Sequence, residues 1–63
     1  MPNYTYELRQ GDAIVATGYL SRDVPFEVGE RVRFDDREGI VQSIAATLDP
    51  GVERVVIQLL RGG

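Results

Sequence analysis

Sixty-three residues suffice for one domain, residues 1–63, close to the size below which a single core struggles to hold a fold. The chain has no cysteine and no histidine, which excludes disulfide staples, a soft-metal site and Cys- or His-based nucleophilic catalysis. Ten acidic residues against seven cations, all arginine, leave a net charge of −3, which argues against nonspecific attachment to phosphate backbones or anionic membranes.

From the N-terminus, Asn3 to Arg9 alternates, with Tyr4, Tyr6 and Leu8 on one face and Thr5, Glu7 and Arg9 on the other. This period of two predicts a half-buried strand. Gln10-Gly11-Asp12 is a turn signal, and Ala13 to Leu20, with Ile14, Val15 and Thr17, completes a predicted hairpin. Two registers compete. A two-residue loop at Gln10-Gly11 sets Tyr6 opposite Val15, whereas a three-residue loop sets Leu8 opposite Ile14 and Tyr6 opposite Ala16. The second is preferred because it places Ile14, Ala16 and Leu20 on the face of Leu8. Gly18 shares that face, where a strand glycine marks a bend or a close backbone approach.

Ser21 to Glu30 breaks the alternation with Pro25 and Gly29. It carries Val24 and Phe26, which a fully solvated loop does not need, so it is expected to fold over one end of the sheet. A third strand follows, with Val32 and Phe34 alternating against Arg31 and Arg33, and Asp35 to Gly39 is read as its turn. Beyond Gly39 the spacing of Ile40, Val41 and Ile44 breaks strict alternation and predicts a bulge near Gln42-Ser43, in a strand expected to end at Leu48. Asp49-Pro50-Gly51 is a strong turn signal. The last strand is expected from Val52 to Leu60, with Val55, Ile57 and Leu59 inward and Arg54, Val56, Gln58 and Leu60 outward. Five strands with no credible helix predict an all-β domain, a small five-stranded antiparallel barrel that hides most of its edges.

The stretch Val28-Gly29-Glu30-Arg31-Val32, followed by Gly39, Val41 and Ile44, resembles the SH3-like barrels of bacterial proteins, including the KOW-type modules of ribosomal and transcription factors. The resemblance implies a curved SH3-like strand pair with Gly29 and Gly39 setting turns. In the KOW modules the loop at the glycine is usually basic and contacts RNA; here it reads Asp35-Asp36-Arg37-Glu38, net negative. The run Val56-Ile57-Gln58-Leu59 is similar to the Val-Gln-Ile-Tyr run of the small plasmid-borne dihydrofolate reductases, with the glutamine displaced and the tyrosine missing. That likeness implies a remote enzymatic alternative using a nicotinamide cofactor.

Ser21 and Ser43 have no candidate base near them in sequence, and the acidic run at 35–38 does not match a calcium-loop signature. No catalytic, cofactor or metal residue is therefore assigned. The apolar outward positions Val56 and Leu60 give the sharper hint, with Ile40 or Val41 beside them: either the 21–30 loop covers them or another chain does. The expectation is a non-enzymatic interaction or assembly module, self-associating or holding a protein partner through the last strand. The alternative is a nucleic-acid-binding module using Arg31, Arg33, Arg54 and Arg61. The candidate surface is accordingly Val56, Gln58, Leu60, Arg31, Arg33 and Arg54. The resemblance implies a bacterial source, and the absence of a membrane-length apolar run, and of a charged and apolar leader at Met1-Pro2-Asn3, gives the expectation of a cytoplasmic protein with no membrane partner.

Overall fold

The computed structural model describes residues 2–34 and 36–60. It is all-β, with strands β1 (Asn3–Gln10), β2 (Ala13–Ser21), β3 (Arg31–Phe34), β4 (Arg37–Ala46) and β5 (Val52–Leu59). They form one five-stranded sheet in the order β2-β1-β5-β4-β3, curled into a half-barrel with β2 and β3 as its unpaired edges.

The sheet is mixed, which corrects the expectation of a purely antiparallel barrel. Three ladders are antiparallel, but β1 and β5 run parallel, from Asn3 beside Val52 to Arg9 beside Gln58. Chain direction explains this. Because β2 runs back along β1, the loop after Ser21 delivers β3 to the end of the sheet where β1 began. The meander β3-β4-β5 then leaves β5 running the same way as β1. The expected barrel that hides most of its edges is likewise replaced by an open half-barrel.

One face carries the core: Tyr4, Leu8, Phe26, Val41, Val55, Ile57 and Leu59 are buried, with Tyr6, Ala16, Leu20, Val32, Phe34 and Ile44 packed against them. The alternation read from β1 and β5 holds, since Val55 and Ile57 are completely buried in the central strand. The β4 register shifts between Val41 and Ser43, so Gln42 is the bulge. It keeps Val41 and Ile44 on the same concave side despite their odd spacing.

The first hairpin departs from both predicted registers. Gln10 pairs with Ala13 around a two-residue turn at Gly11-Asp12, and Gly11 at φ +62° supplies the left-handed first position of a primed turn. A second bulge then intervenes: Leu8 pairs with Ala16 but Arg9 with Ile14, leaving Val15 as the extra residue. Ile14 is thereby moved opposite Arg9, on the convex face, rather than onto the face of Leu8. Tyr6 pairs with Gly18, and its ring lies where a Gly18 side chain would be: an added Cβ would meet it at 2.6 to 2.8 Å.

Gly39 sets no turn. Phe34 pairs directly with Arg37, so the β3–β4 hairpin reverses before Gly39, which lies within β4 between Val32 and Leu59. A Cβ there would meet Ile57 Cγ2 at 2.6 Å and the Gln58 carbonyl oxygen at 2.9 Å. Gly39 is therefore required by the tightness of the sheet, not by a bend. β4 also ends at Ala46 rather than Leu48, which is fully exposed at the next turn.

The loop from Arg22 to Glu30 crosses the end of the half-barrel, as predicted, but of Val24, Phe26 and Val28 only Phe26 is used. Phe26 is buried with its ring 4.7 Å from Tyr4, edge to face, while Val24 is exposed. The Phe26 amide donates to the Tyr4 hydroxyl at 3.0 Å, and the Arg22 guanidinium sits 4.1 Å over the Phe26 ring. Arg22 Nη1 lies 3.0 Å from Glu30 Oε2, close enough for an ion pair though off the line of a hydrogen bond. Glu30 closes a turn with its amide donating to the Glu27 carbonyl at 3.0 Å, and Gly29 at φ +91° takes the position that a type II turn reserves for glycine. The Asp49-Pro50-Gly51-Val52 turn is the type II turn its sequence predicts, braced by the Thr47 hydroxyl donating to the Val52 carbonyl at 2.8 Å.

Candidate functional site

The convex face is built from the residues that alternate with the core. Across it run Tyr19, Thr5, Arg54 and Ala45 in one row, Thr17, Glu7, Val56 and Ser43 in the next, and Arg9, Gln58, Ile40 and Arg31 in a third. Val56 and Gln58 are half-buried there, and Leu60 is exposed just past β5. The 21–30 loop does not cover Val56, because its Phe26 anchors it to the concave side. Ile40, not Val41, is the outward apolar residue of β4.

Arg31, Arg33 and Arg54 share this face but do not converge. Arg54 stands four residues along β5 from the Gln58 row and two strands from Arg31, roughly 16 Å away on sheet spacings. Arg31 is held loosely by Glu38 at 4.0 Å, and Arg9 tightly by Glu7 at 2.7 Å. Among the described residues Arg33 and Arg54 make no ion pair. Arg61 and Asp35 lie outside the described residues. Gln58, from the reductase-like run, pairs with Arg9 and Ile40 on the convex side.

The concave side offers open depressions along the seam between β2 and β3, lined by Leu20, Phe26, Val32 and Phe34 at one end and by Leu8, Val15 and Ala16 nearer the first turn. Tyr6 and Phe34 close its floor, with ring centroids 5.1 Å apart. Tyr19 does not join these aromatics. It stands on the convex face beside a further depression that it lines with Leu48, Thr5 and Arg54, where Thr5 Oγ1 is buried and makes no hydrogen bond to a described residue. Among the described residues no three His, Cys, Asp or Glu side chains are grouped closely enough to hold a metal ion. No helix among them is long and apolar enough to cross a membrane.

The most distinctive surface is one that was not singled out in the sequence: the free edge of β2. Its nine residues, AIVATGYLS, include no charge, whereas every other strand carries at least two. Ile14, Val15 and Tyr19 are 54%, 43% and 84% exposed along it. The Arg22 amide donates to the Pro2 carbonyl at 3.1 Å, in register with Tyr4 beside Leu20 and Tyr6 beside Gly18. Alternate residues of an antiparallel pair turn their backbone groups the same way, so Leu20, Gly18 and Ala16 face β1. The N–H and C=O groups of Thr17, Tyr19 and Ser21 therefore point outward from the sheet. The opposite edge is blunted: β3 has four residues, two of them arginine. The uncharged run was visible in the sequence, but its position at an edge was not.

Fold and surface together define a small all-β module, a curled five-stranded mixed sheet with one guarded and one unguarded edge. No protein-family model, no curated protein and no solved structure matches the chain.

Proposed function

We propose that this chain is an SH3-like interaction or assembly module that works by docking a protein segment rather than by transforming a small molecule. The observation that carries this reading is the unpaired β2 edge, which presents outward amide and carbonyl groups flanked by exposed apolar side chains and no charge. An edge of this kind receives an added strand through main-chain hydrogen bonds, with side chains on alternate faces giving selectivity. The curled sheet, the Gly29 turn and the inward Val32, Val41 and Ile44 support the SH3-like assignment. The half-buried Val56, with Gln58 and Leu60 near it, forms a separate convex-face surface centred on β5, which strand addition at β2 leaves uncovered.

Amide hydrogen exchange tests the docking role. A strand added to β2 slows exchange at Thr17, Tyr19 and Ser21 while leaving Leu20 and Gly18, already bonded to β1, unchanged. If those three amides exchange freely both in concentrated protein and with added uncharged extended peptides, β2 is not the working surface.

A further inference from the structure

We infer that the strand docking on β2 is the β2 of a second copy of this chain, joined by a two-fold axis at Tyr19. This rests on the docking role proposed above and names its occupant. Three features select a second copy. First, a contact about a two-fold axis sets a surface against itself, so a charge at the axis faces its own copy and a patch with net charge repels itself. In a chain of net charge −3, β2 is the strand on which this cannot happen. A charged partner, conversely, would find no complementary group along β2 to select it.

Second, the geometry fixes the register. The outward-pointing groups belong to Thr17, Tyr19 and Ser21, and a hydrogen-bonded antiparallel pair must join residues of that set. Centring on Tyr19 places Tyr19 opposite its own copy and Thr17 opposite the copy's Ser21, using all three residues of each strand. Centring on Thr17 would instead place Val15, the bulged residue, opposite Tyr19, where the ladder is already disrupted. In the favoured register the two tyrosine rings meet on the convex face as a cross-strand aromatic pair.

Third, the contact closes. Two copies joined at β2 form a continuous ten-stranded sheet whose remaining edges are both β3, short and arginine-bearing. A head-to-tail contact of β2 on β3 would propagate into a filament, and Arg31 and Arg33 stand against it.

The test combines sedimentation equilibrium from micromolar to millimolar protein with amide exchange on the intact chain. The expected result is twice the 7.0 kDa monomer mass, with exchange at Thr17, Tyr19 and Ser21 slowing as dimer forms. Tyr19→Lys, which sets two like charges opposite each other, and Tyr19→Pro, which removes an outward N–H the monomer does not use, are each expected to be folded by circular dichroism and to sediment as monomers. Val56→Lys is expected to remain dimeric. A wild-type protein that stays monomeric overturns the inference. If its edge amides are nonetheless protected by an added peptide, the docking role survives without the second copy; if they stay open, both fall. A dimer that persists in folded Tyr19→Lys, or that is lost in Val56→Lys alone, places the contact elsewhere and also overturns it.

Discussion

Replacing Tyr4 with phenylalanine isolates one hydrogen bond without disturbing the packing around it. The ring stays edge-on to Phe26 at 4.7 Å, but the hydroxyl that accepts the Phe26 amide at 3.0 Å is gone. Tyr4 is 1% and Phe26 6% exposed, so water cannot easily replace it. A buried donor left unsatisfied costs about 1–3 kcal/mol. At ~2.1 cal/mol/K per residue, a chain of 63 residues has an unfolding entropy near 0.13 kcal/mol/K, so ~2 kcal/mol lowers Tm by about 15 °C. Thermal unfolding followed by circular dichroism reads the shift, and amide exchange at Phe26 reads its origin, since that amide should lose protection ahead of the β1–β5 ladder. Tyr6→Phe is the control, expected within about 0.5 kcal/mol because the Tyr6 hydroxyl bonds to no described residue. A Tyr4→Phe protein that melts within the error of wild type, with Phe26 exchange unchanged, would refute the view that this bond pins the loop to the sheet.

Gly39→Ala is expected to lose about 1–3 kcal/mol by overpacking, because the new methyl would press on the Gln58 backbone as well as Ile57; Gly18→Ala should lose less in the same denaturant titration, since the obstacle is the movable Tyr6 ring. Glu30→Ala removes both the Arg22 ion pair and the bond accepted from the Glu27 amide at 3.1 Å, and is expected to cost about 1 kcal/mol and to raise exchange through the 22–30 loop. On the nucleic-acid alternative, single-stranded RNA should be retained at low salt, released steeply as salt rises, and released earlier by Arg54→Ala. With Arg54 standing apart from Arg31, the expected result is no retention even at low salt.

Much of the fold was legible because its signals are local. The alternation of Val55, Ile57 and Leu59, the Pro50-Gly51 turn and the Gln42 bulge each show in a few consecutive residues. The parallel pairing of β1 with β5 does not, because alternation defines a strand's faces but neither its distant neighbour nor its direction. The bulge at Val15 was hidden for another reason. Ala13 to Ala16 is a continuous small and apolar run, so an inserted residue leaves no visible break in pattern, and Ile14 was assigned to the wrong face. Gly39 misled because a glycine after acidic residues resembles a turn. Only the approach of Ile57 from the neighbouring strand shows that what it supplies is the missing side chain.

The candidate surface was partly legible. Val56, Gln58 and Leu60 are outward as their parity requires, and Arg31, Arg33 and Arg54 share their face. What sequence could not supply was the order of strands, which sets β5 in the centre with both backbone edges engaged and leaves β2 open. Tyr19, opposite in parity to Leu20, signalled an exposed ring, and its value depended on that order.

The parallel β1–β5 seam also governs how the chain is assembled in time. Tyr6 and Val55, paired across it, are 49 positions apart in the sequence, and this seam is the strand pairing that joins the β1-β2 hairpin to the β3-β4-β5 meander. Each half can form early from near neighbours, but neither buries its apolar face until the last strand has arrived. Loop-closure entropy must then be overcome before that burial is gained, which places the rate-limiting step at the seam and predicts slow folding for so short a chain. A chain cut at exposed Val24 would still carry every strand of both halves. Mixing the two pieces should regenerate the sheet, with the seam formed between molecules.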